Sequence, residues 1–178
     1  MSRPFLDAGE GVELRRLDPD DAEALQPVVD ANRDRLRMWM WWADGSTVDT
    51  TRAFIEEALQ QGQDDPLGLY VDGEIVGAIG LHADPISGNR EIGYWIAASH
   101  EGRGAVTRAC RALITHAFAD RECHRISIRA GTANARSLAI AQRLGFTHEG
   151  TLREAASNPL GYYDMEVYGL LESEWPPP

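Results

Sequence analysis

Two short segments combine residue types that small-ligand chemistry uses. Gly102-Arg103-Gly104-Ala105-Val106-Thr107 follows an apolar run ending Ile96-Ala97-Ala98 and opens a stretch with helical periodicity. A helix that begins at a glycine turn offers unpaired backbone N–H groups and the positive end of its dipole, and glycine lets an anion approach the main chain. Arg103 adds charge and Thr107 a hydroxyl, so the turn is a candidate cradle for a phosphate-bearing ligand, although a tight turn alone would also select glycine. No P-loop lysine follows and no G-x-G-x-x-G is present, so the nucleoside-triphosphate and dinucleotide readings lose ground. The second segment is Asn134-Ala135-Arg136-Ser137, in which Asn134 has the side chain of a helix N-cap and Ser137 brings a hydroxyl into the first turn.

The elements that must position these groups are legible from periodicity. Val12 to Leu17 alternates as a strand, and Ala22, Leu25, Val28, Val29 and Leu36 predict a helix from about Asp20 to Arg37, with Pro27 as a kink or break. A second helix is predicted over Val48 to Gln61, with Gly62 as terminator. Leu67 to Val71 and Glu74 to His82, joined by Asp72-Gly73, read as a hairpin, and Arg90 to Ala98 follows the Ser87-Gly88-Asn89 turn as a third strand. Val106, Ala109, Cys110, Leu113, Ala117 and Phe118 predict a helix starting at the glycine turn. Then come a strand at Arg125 to Arg129, a helix at Ala135 to Leu144 closed by Gly145, and strands at His148 to Arg153 and Asp164 to Leu171. This is one domain spanning 1–178, of α+β class with helices layered on a mixed sheet.

Composition narrows the partners. The 178 residues carry 17 Lys+Arg against 28 Asp+Glu, a net charge of −11, which argues against nucleic acid or an anionic membrane as partner. No apolar run approaches the length of a membrane span and the N-terminus lacks a signal peptide, so the expected compartment is the cytoplasm. Cys110 and Cys123 form no C-x-x-C, and His82, His100, His116, His124 and His148 show no ligand spacing, so no metal is expected. Trp39, Trp41 and Trp42 crowd one short segment. Rigid aromatic walls with polar tips suit peptide recognition, and Trp39 and Trp42 with Tyr94 and Tyr163 are candidates to line a binding groove.

Taken together, RLRMWMWW, REIGYWIAASHEGRGAVTRACRALITHAF, NARSLAIAQRLGF, THEGTLREA and GYYDMEVYGLL resemble the GNAT superfamily of acyl-CoA-dependent N-acyltransferases, and within it the RimJ/RimL branch of ribosomal-protein N-terminal acetyltransferases. The resemblance implies a mixed, mostly antiparallel sheet of about seven strands flanked by about four helices. It also implies acetyl-CoA as co-substrate, gripped at its pyrophosphate by Gly102, Arg103, Gly104, Ala105, Val106 and Thr107 and along its pantetheine arm by Ile96, Ala97 and Ala98, with Asn134 and Ser137 near the sulfur. An oxyanion would be met by a backbone N–H near Ala97 or Ala98. The superfamily pattern begins here with Glu101, an acid expected to face solvent. Ala141 stands where many members carry a tyrosine acid, so the resemblance gives that role to Ser137, and it gives the role of base to Glu149.

The implied reaction is acetyl transfer to a primary amine, foremost a protein N-terminal α-amine, by direct attack in a ternary complex. A small-molecule acceptor (polyamine, amino acid or aminoglycoside), a succinyl donor, a non-catalytic CoA-binding module and a homodimer remain open at this stage.

Overall fold

The computed structural model describes residues 5–61, 66–83, 87–120 and 123–176. Among these described residues, eight strands form one sheet in the order β1-β2-β3-β4-β5-β6-β8-β7. They are β1 (Phe5–Gly9), β2 (Val12–Arg16), β3 (Leu67–Val71), β4 (Glu74–Ala83), β5 (Arg90–Ile96), β6 (Arg125–Gly131), β7 (Thr147–Asn158) and β8 (Gly161–Leu171). The α-helices among the described residues cover the sheet: α1 (Ala22–Leu36), α2 (Val48–Gln61), α3 (Ala105–Ala119) and α4 (Ala135–Arg143).

Alternation along each strand divides the core into two layers. Ile92 and Ile96 of β5 and Ile126 and Ile128 of β6 pack with Ala109, Cys110, Leu113 and Ile114 of α3 and Ala141 of α4. On the other face Trp95 meets Leu25 of α1 and Ile55 of α2, and also the group formed by Val29, Leu36, Ala43 and Trp42. The sheet therefore separates an α3/α4 side from an α1/α2 side.

The element order and all four helices agree with the periodicity. Helix α1 runs through Pro27 rather than ending there, with Leu25, Gln26 and Val29 buried on either side of it. Positive φ at Asp72 and Gly73 makes the β3–β4 turn one that twists with its strands. Eight strands among the described residues agree with the expected mixed sheet of about seven; the strand without a pattern of its own is β1, which is defined by antiparallel pairing with β2. Strand β7 is also longer than its sequence suggests, since nearly all of its side chains are exposed and no apolar alternation marks its length. Gly62, the expected terminator of α2, lies outside the described residues.

Candidate active site

The sheet opens at the one parallel strand pair among the described residues. Strands β5 and β6 are joined at Arg90↔Ile126 and Glu91↔Ser127, after which β5 stays on β4 as far as Ile96↔Gly77 while β6 stays on β8 as far as Gly131↔Met165. Each strand is held by its outer neighbour, so a wedge forms between them. Because Ala97 N–H donates to Val76 O at 2.7 Å and Trp95 pairs with Ala78, alternation turns the amides of Tyr94 and Ile96 toward the wedge. A cleft of about 1360 Å³ passes through it, from the glycine turn on the α3/α4 side to the tryptophan segment on the α1/α2 side.

At one end, Gly102 and Gly104 have φ of 74° and 79°, the left-handed conformation that glycine adopts without strain. Gly104 caps α3, and Arg108 N–H makes the helix's first bond to Gly104 O, which leaves the preceding amides without helical partners. Gly102, Gly104, Ala105, Val106 and Thr107 all line the cleft. So do Arg136 and Arg143, two turns apart on one face of α4, and Arg143 donates to Thr107 Oγ1 at 3.2 Å. Backbone donors, a helix dipole and guanidinium groups at one mouth fit a pyrophosphate. Arg136 and Arg143 were not singled out in the sequence, although their spacing places them together.

Four residues on this side differ from expectation. Arg103 does not line the cleft; its carbonyl accepts from Arg108 Nη1 at 2.9 Å. Ala97 and Ala98 do not offer amides to an oxyanion, since the first is bonded to Val76 and the second donates to Asn32 Oδ1 at 2.8 Å. The amides turned into the wedge are those of Tyr94 and Ile96 instead. Glu101 does not face solvent: its side chain is 17% exposed and lies between Arg136 and Arg35, whose Nη1 is 2.7 Å from Oε1. Arg35 also donates to Ile96 O, so α1, β5 and the glycine turn are tied through one guanidinium.

Asn134 and Ser137 both line the cleft. Asn134 caps α4 by accepting from Ser137 N at 3.3 Å, as its residue type predicts. The Ser137 hydroxyl is 2.8 Å from the hydroxyl of Tyr94. Tyr94, expected in an acceptor groove, lines the cleft and reaches toward α4, because β5 alternation points it to the side opposite Trp95.

The α1/α2 side is aromatic. Trp39 and Tyr163 meet edge to face with centroids 5.9 Å apart, and both close over Gly131, where a Cβ would stand 2.8 Å from the Trp39 ring. Burial raises the Tyr163 phenol above its ordinary pKa, which keeps its hydroxyl neutral. Trp42 packs on Trp95 with centroids 6.0 Å apart, while Trp41 is 87% exposed at the rim. Glu91 lines this part of the cleft and is held by Arg129 Nε at 2.7 Å. Among the described lining residues the carboxylates are Glu91 and Glu101, each engaged by arginine.

Glu149, expected as the base, lies outside the cleft. Its carboxylate makes a bidentate pair with Arg125 at 2.6 and 2.5 Å, over Gly169. Arg125 begins β6, about 13 Å along the strand from Arg129 at 3.3 Å per residue, and neither Arg125 nor Glu149 lines the cleft. The hydrogen bonds from Arg125 hold the Glu149 carboxyl below the usual carboxylate range. Such a group is a poor proton acceptor.

The chain is similar to known proteins. The model of the acetyltransferase (GNAT) domain matches residues 12–147. A Bacillus subtilis (strain 168) protein named "Putative ribosomal N-acetyltransferase YdaF" is 38% identical over 93% of this chain and 94% of its own length. The ribosomal-protein-serine acetyltransferase of Escherichia coli (strain K12) is 27% identical over 93% of this chain and 96% of its own. The solved RimL ribosomal L7/L12 α-N-protein acetyltransferase in complex with coenzyme A superposes with a TM-score of 0.91 at 25% identity, covering 96% of this chain and 99% of that one. On the split sheet, the glycine turn and these matches, the chain belongs to the GNAT acetyltransferase family.

Proposed function

We propose that the protein transfers acetyl from acetyl-CoA to the α-amine of a protein N-terminus, in a ternary complex that spans the β5–β6 wedge. The observation that carries this reading is the two-sided cleft: anion-binding amides and arginines on the α3/α4 side, an aromatic groove on the α1/α2 side, and the β5 amides of Tyr94 and Ile96 turned into the wedge between them. The likeness to a coenzyme A complex of an α-N-protein acetyltransferase supports it. The thioester lies in the wedge, its pantetheine arm against β5 and its pyrophosphate on the turn from Gly102 to Thr107, with Asn134 and Ser137 near the sulfur. Trp39, Trp42 and Tyr163 hold the acceptor, and the ribosomal substrates named for the relatives support a ribosomal N-terminus and a cytoplasmic enzyme.

The neutral amine attacks the thioester carbon, and the amide of Tyr94 or Ile96 meets the oxyanion. Collapse breaks the carbon–sulfur bond, Ser137 gives its hydroxyl proton to the sulfur, and the nitrogen loses one proton to solvent. The arginine-bound state of Glu91 and Glu101 favours an α-amine over lysine. An α-amine, titrating near pH ~8, is substantially neutral without a strong base, whereas a lysine near ~10.4 is not.

The test is thiol release from acetyl-CoA across N-terminal peptides, lysine peptides, polyamines and aminoglycosides, with Ser137→Ala as control. Ser137-dependent turnover strongest on α-amine peptides is expected, and preference for a polyamine or an aminoglycoside overturns the acceptor assignment. Trp39→Ala should raise the peptide KM about tenfold, the loss of one aromatic contact of about 1.4 kcal/mol, with little change in the acetyl-CoA KM.

A further inference from the structure

The Ser137 hydroxyl must present its proton toward the cleft to serve as donor. A serine in a helix has other choices, because its hydroxyl can turn back to a main-chain carbonyl three or four residues earlier. Here the Tyr94 hydroxyl stands 2.8 Å from Ser137 Oγ and 3.4 Å from Ser137 O. Tyr94 comes from β5, a different element, and the two groups meet because β5 alternation sends Tyr94 to the α4 side while the Asn134 cap sets the first turn of α4. Burial holds the Tyr94 phenol far above its ordinary pKa, with Cys110 adding to the effect, so the group is a persistent O–H donor rather than a phenolate.

We infer that Tyr94 is a positioning residue for Ser137, donating its phenolic O–H to Ser137 Oγ so that the serine's own proton is aimed at the departing sulfur. This rests on the reading of Ser137 as the proton donor. In this pair the phenol donates and Ser137 Oγ accepts, at 2.8 Å. When the carbon–sulfur bond breaks, the sulfur lone pair takes the Ser137 proton and the serine oxygen carries the charge. The Tyr94 hydrogen bond strengthens against that charge while Tyr94 keeps its own proton. Ser137 is then reprotonated from solvent, which has received the proton lost by the amine, so one proton passes in balance from nitrogen to sulfur.

Two measurements test the inference. The first is a double-mutant cycle. Ser137→Ala should lower kcat about 100-fold and Tyr94→Phe about tenfold, with the affinity for coenzyme A by calorimetry within about twofold of the parent in both. The double variant should lose about 100-fold, not about 1000-fold, because Tyr94 acts only through Ser137. Multiplying losses overturn the inference and leave the Ser137 reading standing; an unaltered kcat in Ser137→Ala overturns the reading itself. The second measurement needs no turnover. In Ser137→Cys the introduced thiol is titrated by its alkylation rate against pH, Cys110 and Cys123 being buried. Adding Tyr94→Phe should raise that thiol's pKa by about one unit, as a hydrogen-bond donor to the thiolate is removed. An unchanged thiol pKa shows that Tyr94 does not donate to position 137 and overturns the inference.

Discussion

Glu149 is bound by two nitrogens of Arg125 and excluded from the cleft, so its chemistry is that of an ion pair. Glu149→Gln should leave kcat and both KM values within about twofold, in steady-state assays of the parent and variant, because about one surface-pair's worth of energy, ~0.5 kcal/mol, is all that it removes. The same pair has a pH signature. The folded-state carboxyl titrates below its unfolded value of 4.5, so its contribution is present above that pH and is lost as pH falls through the lower folded value. Thermal melts of Glu149→Gln and parent should therefore differ at neutral pH and converge in strong acid. A large loss of kcat would return Glu149 to the active site. Ser137 and Asn134, by contrast, sit where their residue types suggested, since a cap and a first-turn hydroxyl are fixed by local sequence.

At the scale of elements, the glycine turn does two things: it ends the β5 segment and starts α3 with its amides in the cleft. Gly104 is the position where both depend on one residue, with φ of 79° and the Arg108 guanidinium 2.7 Å from where a Cβ would stand. Gly104→Ala should cost about 1 kcal/mol or more of stability through the left-handed conformation and raise the acetyl-CoA KM more than the peptide KM. Denaturant titration and steady-state kinetics check the two halves. The wedge itself is a property of pairing. β5 and β6 keep only two residue pairs because α3 returns the chain parallel to β5 while β8 and β4 draw the strands apart. Strand periodicity reports which residues face a core and is silent on where two strands part.

For the whole molecule, a net charge of −11 sets up a negative field that favours cationic acceptors. A peptide with added lysines beyond its N-terminal residues should show a lower KM than its neutral counterpart at low salt, and the difference should shrink toward physiological ionic strength, where the screening length is about 8 Å. Equal KM values at all salt concentrations would show that local contacts alone choose the acceptor. The sequence by itself determined the order of strands and helices, the glycine turn at the head of α3 and the capped start of α4, because apolar period, glycine and capping residues act over a few neighbours. Only the tertiary structure decided which groups share the cleft. Tyr94 meets Ser137 and Arg35 meets Glu101 across 43 and 66 residues of chain, and Glu149 is captured by Arg125. Such partners are chosen by sheet register and by which face a strand presents, and a single-residue step along a strand exchanges one side of the cleft for the other.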